Sequence, residues 1–310
     1  MNQPKVNILL ATYNGCKHLK KQLDSLIAQT YPNITIYIRD DCSSDNTVNY
    51  LKHYIAQNKS DKEIILLDNQ NTNLRPPTSF YQILKECDKA DYYAFCDQDD
   101  YWYPQKIEWA VAKLEQHPSK DTLPLVYYSA YDYYTDNGEF IRHSPLQKEH
   151  PRLHDVLYYT PASGFLLVFN EHARQQFFLS INPGTEMHDR WLIRCCACFG
   201  DIIYDKRYTA TNIRHADAVT AEDSTNKNLL ISFIKQEIFG DAENKAKEHI
   251  AYFYYTFASR LSTDDQKLLK LFTDKNSFIR QCKKLFYPHR LRSRLLGDIA
   301  LRFLFFIWKI

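Results

Sequence analysis

The chain has 310 residues, enough for one catalytic-sized domain and an appendage. With 45% apolar and 25% charged residues, its composition is that of a folded globular protein, which excludes disordered, collagen-like and mucin-like classes. Thirty-nine basic against 37 acidic residues leave a net charge of +2, too balanced for a surface that coats nucleic acid.

In chain order, apolar runs alternate with helix-period segments: strand Val6 to Ala11, helix 18–29, strand Ile34 to Ile38, helix 45–57, strand Glu63 to Leu67, helix 79–88 and strand Tyr92 to Cys96. That rhythm predicts a parallel α/β sheet. From 104 to about 215 the pattern is mixed, with strands at Leu125 to Ala130 and Phe165 to Phe169 and a helix over Asp189 to Cys198. Beyond Ala221 the chain reads as helical, over Asn228–Phe239, Glu243–Arg260, Asp264–Phe272 and Ser277–Leu285. No run of apolar residues is long enough to span a bilayer, and the N-terminal apolar run is too short for a secretory signal, so a cytoplasmic protein is expected. Eight cysteines, clustered only at 195, 196 and 198, fit reduced, buried thiols.

Seven glycines, each at least 16 residues from the next, exclude a GxGxxG turn and a Walker A loop. A bound nucleotide would have to be held by side chains and a metal. In parallel sheets ligands sit beyond the carboxyl ends of the strands, and here those ends are polar. The first strand runs into Thr12-Tyr13-Asn14-Gly15, the second into Asp40-Asp41-Cys42-Ser43-Ser44-Asp45, the third into Asn69 to Arg75 and the fourth into Asp97-Gln98-Asp99-Asp100. Three carboxylates within four residues repel unless a cation sits among them, and hard oxygen ligands on a short turn suit Mg²⁺ or Mn²⁺. Capping of the helix near Pro104 by Asp99 or Asp100, and of helix 45–57 by Ser44 or Asp45, is the competing structural role. Tyr13 offers a flat face for a base, and Asp40 or Asp41 an acceptor for a pyrimidine ring N–H.

Ala11-Thr12-Tyr13-Asn14-Gly15, Asp40-Asp41-x-Ser-x-Asp-x-Thr and Asp97-x-Asp-Asp together resemble the family 2 glycosyltransferases, over roughly residues 5 to 110 and more weakly to about 220. The resemblance implies a GT-A fold, a nucleotide-sugar donor, Mn²⁺ or Mg²⁺, and inverting transfer. It implies that Tyr13 stacks on the donor base, Asp41 bonds its imide, and Ala11, Asp40, Arg75, Asp97 and Gln98 contribute to the donor pocket. Asp99 would bind the metal, helped by His215 in Ile213-Arg214-His215. Asp189, in the His188-Asp189-x-Trp191 segment, would be the catalytic base, unless it only caps its helix. Gly164, His188 and Trp191 would border the acceptor, and Trp102 would line the sugar pocket. The predicted organisation is a catalytic domain over 1–222, with a nucleotide-binding half (1–104) and an acceptor half (105–222), and a helical region over 223–310.

The end of the chain carries basic residues from His289 to Arg294 and a strongly apolar stretch from Ile299 to Ile310, interrupted by Arg302. It suits a helix lying in a membrane interface, or one docked on protein. The expected reaction moves a sugar from dTDP-L-rhamnose or a UDP-hexose to a growing, lipid-linked surface polysaccharide at the inner face of the membrane. A non-catalytic nucleotide-sugar-binding scaffold is the alternative.

Overall fold

The computed structural model describes residues 3–179, 186–214, 242–275 and 277–307. The chain divides into two units, one of Met1–His150 with Ala162–Ala216 and one of Pro151–Pro161 with Asp217–Ile310. The short piece Pro151–Pro161, which lies inside the predicted catalytic stretch, therefore groups with the C-terminal helices.

In the first unit, the four leading apolar runs form β1 (Val6–Thr12), β2 (Ile34–Asp40), β3 (Glu63–Leu66) and β4 (Tyr92–Cys96), joined by α1 (Cys16–Ile27), α2 (Thr47–Gln57) and α3 (Thr78–Glu86). Every residue of β2 and β4 is buried, and every residue of β1 except Ala11. Strands covered on both faces read as continuous apolar runs instead of alternating, which is why these were visible in the sequence. They pair in parallel, with Val6 opposite Ile34 on one side and Tyr92 on the other. α1 shows how the helices cover them: Leu19, Leu23 and Leu26, at helical spacing, are fully buried while Lys20, Lys21 and Asp24 face solvent.

The remaining elements of this unit are α4 (Lys106–Glu115), β5 (Leu125–Thr135), β6 (Phe140–His143), β7 (Val168–Asn170), α5 (Glu171–Phe178), α6 (His188–Phe199) and β8 (Asp201–Arg214). They extend the sheet to the order β3-β2-β1-β4-β7-β5-β6, with β8 also paired to β5. β7 runs antiparallel to both β4 and β5, so β5 and its parallel partner β8 run in the direction of β4. The carboxyl ends of β1, β2, β4, β5 and β8 consequently emerge at one edge.

Two differences from the predicted elements have local causes. The predicted strand Phe165 to Phe169 is split into a 3₁₀ turn, Gly164–Leu166, and β7. A short unbroken apolar run carries no period that separates a buried turn from a buried strand. β8 is missing from the prediction because Asp205-Lys206-Arg207 interrupts its alternation, and its register against β5 slips on either side of Ala130.

The second unit contains α7 (Ala242–Phe257), α8 (Thr263–Thr273), α9 (Phe278–Leu285) and α10 (Leu295–Phe306). The predicted helix 228–239 lies outside the described residues. Ser262 caps α8 by accepting from the Asp265 N–H at 3.1 Å, and Ser277 caps α9 by accepting from the Arg280 N–H at 3.3 Å. Phe253, Phe257, Leu269, Phe272, Leu301, Leu304 and Phe305 form its core. Tyr158 meets Phe272 and Phe305 edge-on, which is how the short N-terminal piece joins this unit. Arg302, the interruption in the apolar tail, turns inward. It donates to Asp298 Oδ2 at 2.8 Å and to the carbonyls of Leu285, Tyr287 and His289 at 2.5, 2.9 and 3.0 Å. Among the described residues, no helix is long and apolar enough to cross a membrane.

Candidate active site

The site is assembled at the carboxyl edge of the first unit's sheet. The loops beyond β1, β2 and β3 hold five non-glycine residues in the left-handed region: Asn14, Cys42, Gln70, Asn71 and Arg75. With so few glycines available, side-chain hydrogen bonds hold these turns. Asn14 Oδ1 accepts from the Ser44 N–H at 2.7 Å, the Asn14 N–H reaches Ser43 Oγ at 2.8 Å, and the Gly15 N–H reaches Thr47 Oγ1 at 2.9 Å. Tyr13, half exposed at 49%, is held at its backbone by Gln98. The Gln98 Oε1 accepts from the Tyr13 N–H at 2.9 Å and its Nε2 donates to the Tyr13 carbonyl at 3.1 Å. A Cβ on Gly15 would collide with that same amide, so the one glycine in this loop makes room for the clamp.

Asp40 and Asp41 differ sharply. Asp40 is buried, and its carboxylate accepts from Thr12 Oγ1 (3.0 Å), the Ser43 N–H (2.8 Å) and Ser43 Oγ (2.5 Å). It organises the loop that borders the expected donor pocket. Gln98 likewise engages the Tyr13 backbone with both ends of its amide. Asp41 pairs with the buried Arg39 guanidinium and accepts from the Leu74 N–H (2.9 Å) and the Arg75 N–H (2.6 Å). It thereby ties the loop after β3 to the end of β2. Its Oδ2, bonded to Arg75 N–H, keeps acceptor capacity. Arg75 is exposed at the loop surface, and Ala11, at the end of β1, is half-buried.

On the other side of β1, the turn after β4 is strongly acidic. Burial first, then the negative charges of Asp99 and Asp189, push the Asp97 carboxyl up to about 7. Burial, then Asp97 and Asp99, push Asp100 well above the ordinary carboxylate range, opposed by the Asn212 amide, which donates to Asp100 Oδ1 at 2.9 Å. Asp97, Asp99 and Asp189 thus share one electrostatic neighbourhood, although Asp189 is 90 residues further along the chain. Asp189 sits in the first turn of α6, half-buried; the cap position is Met187 and no side chain caps the helix, so Asp189 is not serving as its N-cap. Carboxylate oxygens suit a hard divalent cation in kind. Among the described residues, however, no three of His, Cys, Asp and Glu are grouped as a ready-made metal set. Any cation here would complete its shell with water and substrate oxygens. His215 lies outside the described residues.

Four further predicted site residues are buried. Trp102 is 3% exposed: the residues after the acidic turn pair with β8, through the Tyr103 N–H to Thr209 O and the Thr211 N–H to Tyr101 O, and carry the indole inward. The Lys106 ammonium lies 4.8 Å from its ring. That lysine is itself fully buried, donates to the Leu166 carbonyl at 3.3 Å, and is pushed down to about 7 by burial. His188 is buried against Phe80 (4.1 Å between ring centroids) and Phe95 (4.6 Å), and burial pushes its pKa down, so the ring is neutral at neutral pH. Gly164 is buried too, and a Cβ on it would strike the His188 ring, so its missing side chain admits the imidazole. Trp191 is buried in the same layer.

Arg39, Asn14 and Asn212 are the site residues that sequence reasoning missed. Arg39 carried a legible signal: a charge inside an otherwise apolar strand, two residues before Asp41 and therefore on the same face.

Comparison with known proteins identifies the family and the fold. The pattern of glycosyl transferase family 2 matches residues 7–178, more than half of the chain, and the chain belongs to that family. It is 38% identical over 104 residues to the dTDP-rhamnosyl transferase RfbG of Shigella flexneri, covering 33% of this chain and 35% of that protein. It is 36% identical over 114 residues to the putative glycosyltransferase EpsE of Bacillus subtilis (strain 168), covering 37% and 40%. These alignments span little more than a third of either relative. Among solved structures, S. aureus TarS 1-349 in complex with UDP-GlcNAc matches 98% of this chain and 91% of its own, with a TM-score of 0.56 at 15% identity. That likeness is one of fold, a GT-A-type α/β sheet flanked by helices.

Proposed function

We propose that the chain is an inverting, divalent-cation-dependent glycosyltransferase that moves a sugar from a nucleoside diphosphate donor to a growing, lipid-linked surface polysaccharide. The observation that carries the reading is the convergence of Asp97, Asp99 and Asp189 in one neighbourhood at the sheet edge, where burial first, and then the charges of Asp99 and Asp189, push the Asp97 carboxyl up to about 7. An inverting transfer needs a base for the acceptor hydroxyl and positive charge for the departing diphosphate. Asp189, on the rigid first turn of α6, takes the hydroxyl proton. Asp99 would hold the cation, with Asp97 beside it. When bound there, Mn²⁺ or Mg²⁺ would supply the charge that stabilises the diphosphate. On the other side of β1, the exposed Tyr13 ring supports the base, and Asp41 and Arg75 bound its far edge.

The name of the Shigella relative favours dTDP-L-rhamnose as donor, and UDP-hexoses are the second choice, as UDP-GlcNAc is the ligand in the TarS complex. The test is thermal shift and donor hydrolysis of the purified chain against a panel of dTDP- and UDP-sugars, with and without Mn²⁺. One donor class should stabilise the protein with Mn²⁺ present. Turnover should vanish in Asp99→Ala and Asp189→Ala, while Asp189→Ala still binds nucleotide. Stabilisation by no sugar nucleotide, or unchanged turnover in Asp189→Ala, would overturn the reading.

A further inference from the structure

The second unit presents a surface that the transfer chemistry does not use. On α10, Leu301, Leu304 and Phe305 face the unit's core, while Leu295, Leu296, Ile299, Phe303 and Phe306 are exposed by 47–66%. At 100° per residue the exposed set falls within an arc of about 120°, opposite the buried one. The neighbouring α9 repeats the arrangement. Gln281 and Lys284 are buried, whereas Phe278, Ile279 and, just past its end, Phe286 are exposed by 69–76%. An open groove of about 680 Å³ runs along this helix, lined by Leu271, Phe278, Ile279, Cys282 and Phe286, with Lys283 at its margin. Aromatic and aliphatic side chains exposed to this degree on two helices that pack on each other exceed the scattered apolar residues of an ordinary surface.

The segment that carries them is predominantly basic, although Asp274, just before it, pairs with Arg280 at 3.1 Å and Lys284 is buried. Residues 275–310 hold nine lysines and arginines against a single acidic residue, Asp298, whereas the whole chain carries only +2. Asp298 is buried and occupied by Arg302 and the Leu291 N–H, so no carboxylate of this segment faces solvent. From this pairing of an apolar face with a predominantly basic segment, we infer that α9 and α10 form a docking face for a bilayer surface bearing anionic head groups. Apolar side chains of such a face enter the acyl boundary while lysine and arginine meet the head groups, and the two contributions add. The inward turn of Arg302 belongs to the same design: it removes the one charge that would otherwise interrupt the α10 stripe and spends it on the carbonyls at the end of α9.

The inference is independent of donor and metal, and its test reads partition alone. The full chain is sedimented with phosphatidylcholine vesicles and with vesicles containing phosphatidylglycerol, at low and high salt. Partition to the anionic vesicles should exceed that to the neutral ones by roughly tenfold and fall with salt. Ile299→Asp with Phe303→Asp should abolish it, and Lys283→Gln with Arg290→Gln should weaken it severalfold. These positions are at the surface, and circular dichroism together with sugar-nucleotide binding by the first unit verifies folding. Equal partition to both vesicle types, no partition at all, or unchanged partition of the aspartate variant would overturn the inference. So would a concentration-dependent dimer, seen in sedimentation velocity, that the aspartate variant abolishes, since the face would then belong to a second copy of the chain.

Discussion

The two sides of the sheet edge are built on opposite principles. Beyond β1, β2 and β3, polar groups are tied to protein partners: Asp40 accepts three hydrogen bonds, Asp41 is shared between Arg39 and two backbone N–H groups, and Asn14 bridges to Ser44. Beyond β4, acidic groups are crowded together, and burial first, then their mutual repulsion, pushes Asp97 and Asp100 upward. The first side is a finished platform whose shape precedes its ligand. The second is held in electrostatic tension that a cation and a diphosphate would relieve. In the function proposed above, the first side would serve recognition and the second chemistry.

Substitutions can break this contrast. Asp189→Asn should lower kcat by about 10³-fold, the range expected for loss of a positioned base, with nucleotide affinity retained; steady-state kinetics and nucleotide titration check both. On the platform, Asp41→Ala should instead destabilise the fold by on the order of 3 kcal/mol, because it leaves the Arg39 guanidinium buried and unpaired, as urea unfolding would show. A third experiment varies pH. The raised Asp97 pKa means that the folded state binds a proton more tightly than the unfolded chain. Stability from this group is therefore greatest below about pH 4 and declines as pH rises toward 7, then levels. The loss should be roughly 2 kcal/mol, about half of what the shift alone converts to, because solvent reaches part of the carboxyl. Asp97→Asn should flatten the decline, and Mn²⁺ should restore stability above pH 7 in the unmodified protein.

Two glycines sharpen the comparison at smaller amplitude. Gly164→Ala meets an imidazole wedged between Phe80 and Phe95 and should cost about 2 kcal/mol by overpacking. Gly15→Ala meets only the end of the flexible Gln98 side chain and should cost about 1 kcal/mol, with a raised KM for the donor as the Tyr13 clamp loosens. Differential unfolding of the two variants measures the difference.

The parallel half of the sheet was legible because strands buried on both faces leave unbroken apolar runs, and the polar residues that follow each run mark its edge. The acidic turn and Asp189 could be singled out by residue type and motif. What the sequence concealed was direction. Trp102, His188 and Trp191 are residue types that serve equally in a sugar pocket and in a core, and only the pairing of Tyr101–Tyr103 with β8, itself obscured by Asp205-Lys206-Arg207, turns Trp102 inward. Asp40 and Asp41 are adjacent and chemically identical, so their separate tasks depend on which face of the strand end each occupies. The helical unit hid the inward orientation of Arg302 for the same reason, because it depends on carbonyls 13 to 17 residues away.

The hydrogen-bonded platform has a consequence for how the protein breathes. Backbone amides of Tyr13, Asn14, Gly15, Ser43, Ser44, Leu74 and Arg75 all lie in surface loops, yet each donates to a side chain anchored elsewhere in the fold. In deuterated solvent these loop amides should trade their protons at rates usual for interior strands, opening only in larger cooperative events. The nucleotide would then meet a rim already frozen in shape, and little ordering would remain to be done on arrival.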